Sequence, residues 1–440
     1  MDPQRRREVL ALSLPILGGM ASQNLLNLVD AWMVGALGPA ALAATGLSGF
    51  LNFMAVAFIT GFSPAVQAIA ARRIGEGRSD EAAAPLNGGL LLSLAIGLPL
   101  SLILILATPW IFEALVDDPA VVREGVPYLQ WRLVAVAAVG MNFAFRGYWS
   151  AARLTRFYMR TLVTMHVLNV VFSYTLIHGL YGLPRMGTAG AGLGTTLAIL
   201  VGTGLYFSLG FKHARAQGFL VRRPGPAQFR SLLRIGLPSS VQQLLFSSGF
   251  AVLFWIVGQV GTRELAVANV LTTITLTAVL PGIALGITAA TLSGQALGRQ
   301  DADDAHRWSW DVYRVGVWIF AAVAMPMLLA TRPLLALFLR DPVLVELGVL
   351  PLRLIGASIL LDGLGLIMMQ ALLGVGASRL VMIVATGLQW GVFLPLAWIL
   401  GPALGLGLTA IWIAMGGYRI VQAAIFIAAW ERRDWVRIRV

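Results

Sequence analysis

The chain contains no cysteine, which removes disulfides, thiolate metal sites and thiol nucleophiles together. Charge is also scarce. Only 12% of the 440 residues are Asp, Glu, Lys or Arg, about half the level of an average soluble domain, and this argues against a water-soluble enzyme. Lysine is nearly missing, since Lys212 is the single Lys among 32 basic residues. Four histidines (His166, His178, His213 and His306) are too few and too scattered to form a metal cluster. No segment reads as a nucleotide-binding loop, so ATP-driven transport by this chain alone is not expected.

What is present is apolar sequence: 58% of residues are hydrophobic and the mean hydropathy is +0.80. Apolar stretches of 20 or more residues recur throughout, each long enough to cross a hydrocarbon core of about 30 Å. They lack the period-2 alternation of barrel strands, and in lipid only helices or closed barrels satisfy every backbone group. The expected fold is therefore an all-α polytopic membrane protein. Twelve helices are placed near 9–34, 40–72, 86–108, 126–150, 157–179, 187–210, 231–258, 264–296, 309–331, 347–374, 379–400 and 405–430. The second and eighth are over-long, and Pro64 and Pro281 are candidate kinks. Arg5, Arg6 and Arg7 precede an apolar run too long for a signal peptide and without a clear cleavage pattern, so that run is read as the first helix.

The net charge of +12 is explained by topology rather than by nucleic acid. Sorting the basic residues by loop puts 25 on one side, including the N-terminus, Arg223, Arg419 and Arg439, and seven on the other. The positive-inside rule then makes both termini cytoplasmic.

The two halves align at a constant shift of 223 residues. Leu14-Pro15 matches Leu237-Pro238, Val34-Gly35 matches Val257-Gly258, Asp118-Pro119 matches Asp341-Pro342, and Arg156 matches Arg379. These landmarks stay in register for about 140 residues and slip only near Gly187. Six helices per half is an even number, so the halves are parallel repeats: residues 1–211, a basic linker over 212–230, and residues 231–440. Two such lobes joined by a cytoplasmic linker suit a transporter working by alternating access.

Two carboxylates lie well inside apolar helices, Asp30 in the first and Asp362 in the tenth. A charge at such depth is costly and is taken as functional by default. Asn27 precedes Asp30 by three residues and shares its face, and Asn24 lies nearby. This polar stripe could bind H⁺ or Na⁺; the plain alternative is an outer-end Asp that reaches water. The repeat partners of Asp30 and Asp362 are Leu253 and Val139, so neither acid belongs to the shared scaffold. Asp362 could face a central cavity or pair with Arg353. Other intramembrane polar residues, among them Asn142, Asn169, Ser173, Thr195, Gln242 and Gln243, read individually as interhelical hydrogen-bonding groups, as does His166. Met368, Met369 and aromatic residues such as Trp32 and Phe53 could line a pocket for flat cations.

Several segments resemble the multidrug and toxic compound extrusion (MATE) family. They are LSLPILGGMASQNLLNLVDAWMVGALGPAALAATGL at the first helix, RIGLPSSVQQLLF at the seventh, GITAATLSGQALGRQDADDA at the end of the eighth and MMQALLGVGASR at the end of the tenth. The pattern is most similar to the branch named for DNA-damage-inducible protein F. The resemblance implies a V-shaped pair of six-helix lobes in a bacterial inner membrane, acting as a monomer without a cofactor. Such a protein exports amphipathic, often cationic compounds in exchange for H⁺ or Na⁺. It further implies a coupling site at Asp30, Asn27, Asn169, Ser173 and Thr195, and a substrate cavity involving Asp362, Asn142, Gln242, Gln243, Met368 and Met369. Asn169 matches the Asn of an Asn-x-x-x-Asp pattern whose Asp is here Ser173. With one carboxylate lost, H⁺ is favoured over Na⁺ held at Asp30 and Asn169. The alternatives are a flippase for a lipid-linked precursor, which needs a basic cavity that Arg132, Arg146 and Arg353 could supply by facing inward, and a membrane prenyltransferase. The latter would need clustered Asp residues, for which Asp117-Asp118 and Asp301, Asp303 and Asp304 are the candidates.

Overall fold

A computed structural model describes residues 2–222 and 224–438; Arg223 and Arg439, counted above on the basic side, lie outside the described residues. The fold is all-α and polytopic, and no strand occurs among the described residues. The helices of the first half are α1 (Pro3–Gly35), α2 (Pro39–Thr60), α3 (Phe62–Gly75), α4 (Ala84–Leu115), α5 (Pro119–Val134), α6 (Val136–Ala151), α7 (Thr155–His178) and α8 (Gly187–His213). Those of the second half are α9 (Pro226–Val260), α10 (Thr262–Ala278), α11 (Leu280–Gly298), α12 (Ala302–Leu329), the short α13 (Thr331–Ala336), α14 (Pro342–Gly374), α15 (Ser378–Leu388), α16 (Leu394–Trp398) and α17 (Gly407–Glu431).

Eleven spans among the described residues are long and apolar enough to cross a membrane. The remaining expected pass is the α5–α6 segment. It carries Arg132, Asn142 and Arg146, and it breaks at Ala135, a bend that no neighbouring proline marks.

The over-long second and eighth passes each break into two helices. The chain bends at Gly61, and α3 restarts so that Pro64 falls in its first turn. Likewise α11 restarts after Val279 with Pro281 at its second position. A proline is tolerated there because the first-turn N–H groups have no helical acceptor, so the backbone breaks just before the proline rather than at it. Gly61 permits close approach: an added Cβ would collide with the Ser240 backbone. In the eleventh pass, π-turns at Gln389–Phe393 and Ile399–Ala403 flank α16.

The chain forms two compact units, Pro15–Ser240 and Met1–Leu14 with Val241–Val440. Helices α1 and α9 therefore each begin in one unit and continue in the other. The changeover lies at or near an internal proline, Pro15 in α1 and Pro238 in α9. In the first unit the C-terminal end of α1 is packed through Val29, Met33 and Val34 in a cluster with Tyr128, Val170, Ile177 and Ala191. In the second unit the start of α1 contributes Val9 and Leu12 to a core with Leu285, Leu292, Trp308, Met368 and Trp430. That start is also fixed by charge. Arg5 pairs with Asp304 and Asp311, both at 2.7 Å, and stacks 3.6 Å from the Trp308 ring centre.

Several contacts hold the linker to the first unit: Arg222 pairs with Asp80 at 2.6 Å and with Glu81 at 2.5 Å, and one buried amide makes three bonds. Asn87 of α4 donates to the carbonyls of Gly218 and Arg222, each at 2.9 Å, and accepts from the Leu220 N–H at 3.0 Å. A buried amide is thereby satisfied at both ends while three linker positions are fixed to α4.

Candidate coupling site and cavity

A cavity of about 300 Å³ lies within the first unit, walled by α1, α2 and α5 to α8. Gln23, Asn52, Arg132, His166, Asn169 and Thr195 supply its polar groups. Two of the expected coupling residues, Asn169 and Thr195, line it, and Ser173 is bonded to Asn169 behind the wall. Asn169 donates from Nδ2 to Thr195 Oγ1 at 3.0 Å, and Ser173 donates from Oγ to Asn169 Oδ1 at 3.1 Å. Thr195 in turn donates to the Ala191 carbonyl at 3.0 Å. All three side chains are buried. Gly194 brings α8 against α7, because a Cβ there would lie 2.5 Å from the Ser173 nitrogen.

A second polar chain ties α1 to this cavity. His166 on α7 is bonded through Nδ1 to Ser22 Oγ at 2.9 Å and through Nε2 to Gln23 Oε1 at 3.0 Å. Gln23 passes the connection on, donating from Nε2 to Asn27 Oδ1 at 3.2 Å. Asn27 and Asp30 are not on the cavity wall; they continue the same helical face toward the C-terminal end of α1. Asp30 is half-buried, and its Oδ1 is buried with no hydrogen-bond partner among the described residues. The cation whose field acts on it is Arg132 of α5, which donates to the Tyr128 hydroxyl at 3.0 Å.

The sequence did not single out Gln23 or Asn52 for this site, and it offered Arg132 only as a cation that could face the cavity of a flippase. Gln23 carried a legible signal, being one helical turn before Asn27. Asn142, expected at the substrate cavity, accepts from Thr203 Oγ1 at 2.9 Å.

The second unit holds the other intramembrane acid. Asp362 accepts from Arg419 Nε at 2.8 Å, and the pair borders a small void with Met369, Gln422 and Phe426. Its partner is therefore Arg419 and not Arg353, whose guanidinium lies 3.4 Å from Thr331 Oγ1. Arg419 stands in the middle of α17, so it is not one of the loop charges that set topology. Met368 is wholly buried in the core, Gln242 is buried and Gln243 is exposed.

The MatE family matches this chain twice, over residues 15–175 and 238–399. The two matches begin at Pro15 and Pro238, the same pair that the 223-residue repeat aligns. The chain belongs to the MatE family. Among curated relatives, a probable multidrug resistance protein NorM of Bradyrhizobium diazoefficiens is 29% identical, covering 96% of this chain and 92% of that one. An uncharacterized transporter, YisQ of Bacillus subtilis, is 24% identical over 98% of this chain and 95% of its own length. Two solved structures share the fold, each with a TM-score of 0.89 at 22% identity, covering 99% of this chain and 97% of theirs. One is a MOP superfamily transporter from Pyrococcus furiosus; the other is an outward-facing multidrug resistance MATE family transporter of the same superfamily.

Proposed function

We propose that this protein is a secondary active efflux antiporter that exports amphipathic, often cationic compounds in exchange for H⁺, with Asp30 as the coupling carboxylate. It works as a monomer by alternating access in a bacterial inner membrane, with both termini in the cytoplasm. The observation that carries the reading is the buried, unpartnered Oδ1 of Asp30, next along its helical face to the Asn27–Gln23–His166 chain that leads into the cavity. A carboxylate so placed has an open valence for a proton, and a change in its charge acts on the helix that His166 clasps. H⁺ is preferred to Na⁺ because Asp30 is the one carboxylate assigned to the site, and the residue that bonds Asn169 Oδ1 is the neutral Ser173. Substrate contacts are assigned unit by unit, to Asn142 in the first and to Asp362, Gln242, Gln243 and Met369 in the second, with Met368 packed in the core of the second unit.

The test is uptake of a fluorescent cation by proteoliposomes holding the full chain. Dye accumulation driven by an imposed pH gradient and not by a Na⁺ gradient is expected; accumulation under Na⁺ alone overturns proton coupling. One observation favours a second reading. Arg132 on the cavity wall could hold an anionic head group, as a flippase for a lipid-linked precursor requires. Dye movement under neither gradient, together with binding of a lipid pyrophosphate, would select that reading.

A further inference from the structure

The first four turns of α9 have two unlike faces. Leu232, Ile235, Gly236, Ser239 and Ser240 are buried. A Cβ on Gly236 would strike the Phe62 ring, one on Gly61 the Ser240 backbone and one on Gly88 the Leu232 side chain, so this face is in close contact with α3 and α4. The other face carries Arg230, Leu233, Arg234 and Leu237, all exposed, with Leu233 at 40% and Leu237 at 47%. Together with Phe229 and the linker prolines Pro224 and Pro226, this face lines an open groove of about 790 Å³. Among the described residues neither arginine has a carboxylate within 4.0 Å. One wall is seated against α4, because a Cβ built on Gly88 would lie 3.6 Å from the Pro224 side chain.

A water-facing helix surface would not expose leucines in alternation with the arginines, and a tail-facing surface would not carry two guanidinium groups. The mixture fits the headgroup level of a bilayer, where phosphate and acyl chain lie side by side. Basic pockets at that level take anionic lipid head groups, and a guanidinium pairs with phosphate through two parallel hydrogen bonds. The repeat supplies an internal control. At the shift of 223, Arg230 and Leu233 correspond to Arg7 and Leu10, but Arg234 corresponds to Ala11 and Phe229 to Arg6. The paired arginines with an aromatic wall belong to α9 and not to the duplicated scaffold.

We propose that this groove is a binding site for one anionic phospholipid, with Arg230 and Arg234 on the phosphate and Leu233, Leu237 and Phe229 along the glycerol and upper acyl chain. The test is native mass spectrometry of the full chain from detergent micelles with phosphatidylglycerol and phosphatidylcholine of matched acyl chains. Retention of phosphatidylglycerol over phosphatidylcholine is expected, and R230Q/R234Q should lower that preference by roughly tenfold or more. Arg234→Ala installs the residue that the repeat already tolerates, so it separates lost binding from lost folding and should lower the preference in part. No headgroup preference in the unaltered chain, or an undiminished one in both variants, overturns the proposal. So does displacement of the lipid by inorganic phosphate at equal concentration, which would mark a free-anion site.

Discussion

Arg419 and Asp362 form an ion pair of 2.8 Å between α17 and α14, with Asp362 buried and Arg419 largely so. A guanidinium does not give up its proton in a protein, so the second unit carries its own fixed countercharge for this acid. Removing one member of a buried pair leaves the other uncompensated and costs about 3–5 kcal/mol. Asp362→Leu and Arg419→Met should each lower the melting temperature markedly in detergent, and the double variant should recover most of the loss. Equal melting of both single variants and the unaltered chain would show that the pair contributes nothing.

Asp30→Asn keeps the size of the side chain and removes its ability to ionise. The variant should reach the membrane at normal abundance, melt normally and fail to drive dye against its gradient. Undiminished coupled efflux at matched abundance would take Asp30 out of the coupling role.

The Asn169–Ser173–Thr195 bonds offer a graded test. Asn169→Ala removes two buried hydrogen bonds, each worth about 0.5–1.5 kcal/mol, while both hydroxyls keep the Ala191 carbonyl, and it should lower thermal stability modestly and efflux with it. Ser173→Asp adds a second carboxylate beside Asn169 and should make transport respond to Na⁺. Dye transport by this variant that ignores Na⁺ as the unaltered chain is expected to would count against Asn169 as a cation ligand.

His166 holds α1 through Ser22 and Gln23. His166→Leu preserves bulk but breaks both bonds, so coupling should weaken while the chain still folds. Efflux and its pH profile identical to the unaltered protein would reduce the histidine to a packing residue.

The approach of α3 to α9 depends on Gly61. A Cβ there meets the Ser240 backbone, which cannot swing aside, and overpacking of this kind costs about 1–3 kcal/mol or more. Gly61→Ala should sharply reduce folded protein in the membrane. Gly46→Ala, where nothing lies within 4 Å, should be silent; equal yields of the two would refute the close contact.

Much of the fold was legible because membrane helices are local statements. An apolar run long enough to cross lipid must close its own backbone hydrogen bonds, whatever its neighbours do. Proline marks a bend through its missing N–H, so Pro64 and Pro281 placed their breaks to within a few residues. The bend at Ala135 carried no such mark. The sequence alone also determined the duplication, the basic linker and the two intramembrane acids, since each is a matter of residue type and spacing.

Partners were another matter. Asp362 is separated from Arg419 by 57 residues, and His166 from Gln23 by 143. No periodicity within one helix states which face meets which neighbour. Only the packed tertiary structure decided that the start of α1 docks with the second unit through Arg5, that Arg132 stands on the first unit's cavity wall, and that α9 turns two arginines and two leucines outward. The reason is that helix formation in lipid is fixed by bonds within four residues, whereas side-chain pairing is fixed by interhelical contacts, which depend on the whole chain at once.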